Sequence, residues 1–156
     1  KLGISFSKFR ICVMNHFFAT SIKNSLYFIK SYFFVLTKNF DSKEFNCNNG
    51  AVVPDCYYSN MQELANNLQV LRDSINLPIN IRSAYRTVEY NKKIGGVDTS
   101  HHLTCSAADI WVLGLSPRVL GLRIKNLIRE GKMKDGGLGI YPSFVHYDTK
   151  DVGDRW

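Results

Sequence analysis

The residue types best suited to holding a metal fall in two clusters of this chain, Ser100-His101-His102 followed by Asp109, and His146 followed closely by Asp148. Two histidines and one aspartate make a set of three. Zinc used for catalysis commonly takes three protein ligands of this kind and keeps a fourth position for water, whereas structural zinc is usually closed by four, mostly Cys. The types therefore favour an open site. Spacing adds little, because unpaired His and Asp are common and His102 and Asp109 are too far apart for one helical face.

The cysteines give no competing metal motif. Cys12, Cys47, Cys56 and Cys105 include no close CxxC pair, so neither a zinc ribbon nor a thioredoxin-type motif is written here. Cys47 and Cys56 are spaced to bridge a surface loop in an oxidising compartment.

Separate elements must bring such a set together, and the chain from Phe40 onward reads as α+β. Ser59, with Gln62 three positions on, reads as a helix cap, and Met61, Leu64, Ala65, Leu68, Leu71 and Ile75 then share one helical face up to Pro78. Ile79 and Ile81 alternate with polar neighbours as a short strand. Arg86 to Ile94 reads as a second, short helix closed by Gly95-Gly96. Ala107–Val112 reads as a strand. Ser116-Pro117 then opens another helix, with Val119, Leu120, Ile124, Leu127 and Ile128 on its apolar stripe up to Gly131. Leu138–Tyr141 and Phe144–Thr149, split by Pro142-Ser143, read as a closing hairpin.

The chain has 156 residues, 45% hydrophobic and 21% charged, which suits one globular domain and excludes a disordered chain. Such a domain buries enough surface to stand without a structural metal or disulfides. The net charge of +7 would raise nucleic acid as a partner, but six of the basic residues precede residue 40 with no acid among them, leaving 14 basic against 13 acidic residues in the body. Nucleic-acid binding is therefore not expected. Residues 1–39 form a basic, aromatic segment whose uncharged runs are shorter than the ~18–20 apolar residues of a spanning helix. A signal peptide, a membrane-surface anchor or a non-native extension are the readings open for it.

The stretch Ile81-Arg82-Ser83-Ala84-Tyr85-Arg86-Thr87, then Asn91, Gly95-Gly96 and Ser100-x-His102-x-x-Cys105-x-Ala107-x-Asp109-Ile110 resembles the zinc D-alanyl-D-alanine carboxypeptidase family of murein peptidases. Phe40 to Cys47, Gly136-Gly137-Leu138-Gly139-Ile140-Tyr141, Phe144-Val145-His146-Tyr147-Asp148 and Arg155-Trp156 extend the likeness over about residues 40–156. The resemblance implies a zinc ion held by His102, Asp109 and His146 in an open groove on a small antiparallel sheet flanked by helices. It also implies Arg86 as the group that receives a developing oxyanion or a substrate carboxylate, and Ser100 as a substrate-contacting hydroxyl. Peptidoglycan stem peptides are the implied substrate, and the implied setting is the cell envelope, periplasmic or secreted, or a phage-encoded lysin. A monomer is expected.

Three positions depart from the family pattern. Cys105 stands where Gly would allow a positive φ, and is expected as a buried packing residue, with a fourth metal ligand as the alternative. Many relatives place an acid three residues before the last histidine, where this chain has Ser143. Asp148 is the nearest substitute as catalytic base, against a carboxylate that merely orients a histidine ligand. His101, adjacent to His102 on what reads as an extended segment, should point away from the metal. The leading expectation is thus a zinc peptidase. Its rival is a non-catalytic zinc module of the same architecture, similar to the zinc-bearing domain of hedgehog proteins, and Ser143 and Cys105 favour that rival.

Overall fold

The computed structural model describes residues 34–150 and 153–156. Most of the basic N-terminal segment, Cys12 included, lies outside them, and so do the signal and anchor readings of it. Among the described residues no helix is long and apolar enough to cross a membrane. The segment's last residues belong to the folded unit: β1 (Val35–Thr37) pairs antiparallel with β2 (Phe40–Asp41), and Leu36 is buried.

Helix α1 (Tyr58–Ile75) buries Met61, Leu64, Ala65, Leu68 and Leu71, the stripe that the 3.6-residue period marks out. Its start differs from the expectation. A 3-10 turn at Asp55–Tyr57 leads straight into the helix, so Ser59 and Gln62 sit inside its first turns and Gln62 reaches across to the carbonyl of Leu36, 2.9 Å away. The helix stops before Pro78, at Asn76, which adopts a left-handed φ of 53°. The bridge between Cys47 and Cys56 does not form, since Cys47 is a free, buried thiol.

The main sheet has the order β3-β4-β6-β5, built from Asn80–Ser83, Ala107–Trp111, Val145–Asp148 and Leu138–Ile140, with every neighbour antiparallel. Register decides what each face carries. Ile81, Ile110, Val145 and Ile140 form one row across the four strands. The next row is Ser83, Asp109, His146 and Gly139, and alternation along β4, β5 and β6, with one extra residue on β3, turns it to the opposite face. One face thus supplies core and the other supplies polar chemistry.

The core face joins Leu64 and Leu68 of α1 to Ile124 and Leu127 of α3 (Pro117–Arg129) in a single apolar cluster with Ile110, Val145 and Tyr147. Helix α3 opens as expected, Ser116 accepting from the Val119 amide at 3.4 Å with Pro117 in the first turn. Val119 itself is half-exposed, off the buried stripe. The short helix α2 (Val88–Lys93) is narrower than expected because Thr87 caps it, its Oγ1 accepting from Tyr90 N at 3.1 Å. Beyond β5, residues 154–156 run parallel to that strand, with Leu138 N donating to Asp154 O at 2.9 Å and Ile140 N to Trp156 O at 2.8 Å.

Candidate metal centre

The β4–β6 register sets Asp109 directly opposite His146, so their side chains rise from adjacent strands on the same face. His102 arrives from elsewhere. It sits in a 3-10 turn, His101–Thr104, whose backbone is tied to the motif before it by Arg86 N donating to His102 O at 3.0 Å. The His102 Nδ1–H is held by the carbonyl of Ala84 at 2.6 Å, which fixes the tautomer and turns the Nε2 lone pair inward. There it lies 3.3 Å from His146 Nδ1 and 3.3 Å from Asp109 Oδ1, and His146 Nδ1 is 2.9 Å from the same oxygen.

Two imidazole nitrogens and one carboxylate oxygen therefore face a single point. For a tetrahedral zinc with bonds near 2.0–2.1 Å, neighbouring ligand atoms stand about 3.3 Å apart. The observed separations fit that edge length, and the donor set is the one open zinc sites use. Among the described residues, His102, Asp109 and His146 are the group whose ligand atoms gather in this way.

Cys105 is not part of it. The residue ends the 3-10 turn with φ of 55°, filling in left-handed conformation the position that resembles a family glycine. It is fully buried, and burial pushes its thiol pKa up to about 12, so it packs as a neutral group. His101 lies on the same turn rather than on an extended segment; it borders the groove but stands outside the trio.

The surrounding charges set each donor's state in the metal-free protein. Burial pushes the Asp109 carboxyl up, but the imidazoles against it, above all the His146 Nδ1–H that it accepts at 2.9 Å, outweigh burial and hold the group well below the usual carboxylate range. Arg86 binds the same carboxyl, Nη2 donating to Asp109 Oδ2 at 2.5 Å while Nε donates to Ser83 Oγ at 2.9 Å. Burial draws His102 down, so it stays neutral. Burial also draws on His146, yet the carboxylates of Asp109 and Asp148 prevail and raise it to about 9. Of the two imidazoles, His146 therefore carries the positive charge and His102 none.

Asp148 is fully buried. Its Oδ1 accepts from the amides of Gly137 at 3.2 Å and Lys150 at 2.8 Å, and Oδ2 lies 3.3 Å from His146 Nε2. This is the geometry of a carboxylate that orients a histidine ligand, the second of the two roles open to it in the sequence. Ser143 lies on the β5–β6 turn, where its Oγ accepts from Arg82 Nη1 at 3.1 Å. Ser100 borders the groove without capping the turn that follows it.

Sequence reasoning missed three supports of this centre. Ser83 anchors Arg86; the Ala84 carbonyl sets the His102 tautomer; and Trp156 packs 5.4 Å from the His146 ring. The last has a readable signal in Gly139, because a Cβ there would collide with the Trp156 indole nitrogen. The whole centre lies in a groove of about 740 Å³ that also takes in Arg82, Tyr90 and Tyr141.

No curated protein matches the chain. Among protein families, the one described as Peptidase M15 matches residues 38–148, a span that includes the motif around Arg86 and all three converging ligands. With an open two-histidine, one-aspartate site at the level of the sheet where those motifs meet, the chain belongs to this family of zinc D-Ala-D-Ala carboxypeptidase-like metallopeptidases.

Proposed function

We propose that the protein hydrolyses peptide bonds in the stem peptides of peptidoglycan, either removing a terminal D-alanine or cutting an internal bond. The observation that carries this reading is the convergence of His102 Nε2, His146 Nδ1 and Asp109 Oδ1 at zinc-like separations within a substrate-sized groove. Zinc, when bound there, polarises the scissile carbonyl and brings the pKa of a water toward ~7.

The chain's own residues supply the rest. Arg86 orients Asp109 and, as a permanently charged group at the groove wall, stands ready to receive negative charge that develops on the carbonyl oxygen. Asp148 keeps the proton on His146 Nε2 and so leaves Nδ1 free as a ligand. Ser100 offers a hydroxyl to the substrate backbone. The setting that fits such a substrate is the cell envelope or a phage lysin, with the protein acting as a monomer.

A second reading keeps the zinc but drops hydrolysis. What favours it is that Asp109 and Asp148 are the groove's described carboxylates, one a ligand and the other buried against His146, with Ser143 in place of an acid on the β5–β6 turn. Incubation with defined muropeptides and mass-spectrometric product analysis separates the two. Cleavage lost to chelator and restored by zinc is expected, and His102→Ala should lose both metal and cleavage. Intact muropeptides with a full complement of zinc would instead establish the binding module.

A further inference from the structure

Arg86 is already engaged by Asp109 and Ser83, which leaves the groove's other arginine to be accounted for. Arg82 sits where the β3–β4 register slips: Ile81 pairs with Ile110, but Ser83, two residues on, pairs with Asp109, one residue back. The extra residue is a β-bulge at Arg82. Bulges re-aim side chains beside active sites, and this one lets two successive residues, Arg82 and Ser83, both border the groove.

The Arg82 guanidinium is held in place without any carboxylate partner in the described structure. Its Cζ lies 4.9 Å over the Phe144 ring, and Phe144 in turn stacks on Tyr141 with centroids 4.5 Å apart and planes 10° from parallel. Stacking uses the flat face of a guanidinium and leaves its in-plane N–H donors directed outward. One of them goes to Ser143 Oγ. The side chain remains exposed, so its charge is presented to whatever enters the groove.

We propose that Arg82, stacked on Phe144 beside the metal centre, is the receptor for a carboxylate of the substrate and so selects anionic peptides. The inference rests on the peptidase reading for the nature of its ligand. A forked donor suits this task, because a carboxylate can accept two parallel N–H bonds from it. The carboxylate is either the substrate's C-terminus or an internal side-chain carboxylate, and the two are separable by amidation.

The test compares the zinc-loaded parent with Arg82→Gln and Arg82→Lys on three synthetic stem pentapeptides. One has all carboxylates free, one is amidated at the C-terminus, and one is amidated at its internal carboxylates. Affinity is read as KM where the peptide is cleaved and as Kd by calorimetry where it is not. The parent should lose roughly 10- to 100-fold in affinity when the received carboxylate is amidated. Arg82→Gln should bind acid and amide alike, Arg82→Lys should recover part of the preference, and zinc content should be the same in all three. A parent without any preference for acid over amide, or Arg82→Gln with the parent's preference intact, overturns the role of Arg82. A parent that prefers the acid yet cleaves nothing leaves Arg82 as the anion receptor and overturns hydrolysis alone.

Discussion

Asp148 illustrates how much a single side chain's surroundings decide. The residue type and its place beside His146 allow a general base, but two backbone amides and an imidazole surround the carboxylate in the fold. Asp148→Asn should therefore weaken zinc affinity by about 10- to 100-fold and lower turnover in step with the lost metal, with near-parental activity regained at saturating zinc. If zinc stays bound and turnover falls by roughly 10²–10⁴-fold, Asp148 is moving protons after all. His146 gives a second test. Its ring carries a second proton, on Nδ1, up to pH of about 9 in the metal-free protein, and a metal must displace that proton to bind. Calorimetry in buffers of different ionisation enthalpy should detect about one proton released per zinc near neutral pH. Apparent affinity should then fall about tenfold per unit as pH drops below 9, and a pH-independent affinity would contradict the assignment.

At the scale of elements, periodicity made most of the fold legible. Leu64, Leu68 and Leu71 mark α1, and Leu120, Ile124 and Leu127 mark α3, because buried positions on a helix must recur at its own period. The trio that converges was legible for a different reason: His102, Asp109 and His146 stand in fixed order within several motifs. What escaped the sequence depends on pairing rather than on period. The bulge at Arg82, the strand-like run of residues 154–156 and the left-handed Cys105 arise from partners distant in the chain. Ser59 does not cap because a capping pattern needs a free helix end, and the turn at Asp55–Tyr57 runs straight into α1 and puts Ser59 inside it. The cap that does form can be measured. Ser116→Ala, removing a long 3.4 Å bond, should cost about 0.5–1 kcal/mol and lower Tm by roughly 2–4 °C by calorimetry, while zinc content holds.

Across the whole molecule, the charge is uneven along the sequence. The basic excess sits before residue 40, whereas among the described residues the centre and its groove draw on Asn48 and later positions. A chain beginning at Phe34 keeps β1, with Leu36 in the core, and should bind zinc with the affinity of the full chain. Any association of the full chain with anionic vesicles, measured by co-sedimentation, should drop sharply in the shortened one. Equal vesicle binding by both would place the membrane contact on the folded body instead.

The short run at residues 154–156 has a further consequence for how the protein behaves in company. A sheet's outermost strand normally offers a row of unpaired amides and carbonyls, a template on which another chain can add itself. Here β5 has that row occupied by Asp154 and Trp156 of its own chain. At the opposite margin, β3 is bent by its bulge, and the Arg82 carbonyl is taken by the Asn48 side-chain amide at 3.1 Å. Neither margin presents a long, flat ladder to a neighbour. The residues that seat a tryptophan against a metal ligand therefore also blunt the sheet against edge-to-edge aggregation, so cutting them away would remove a safeguard against self-assembly along with one wall of the groove.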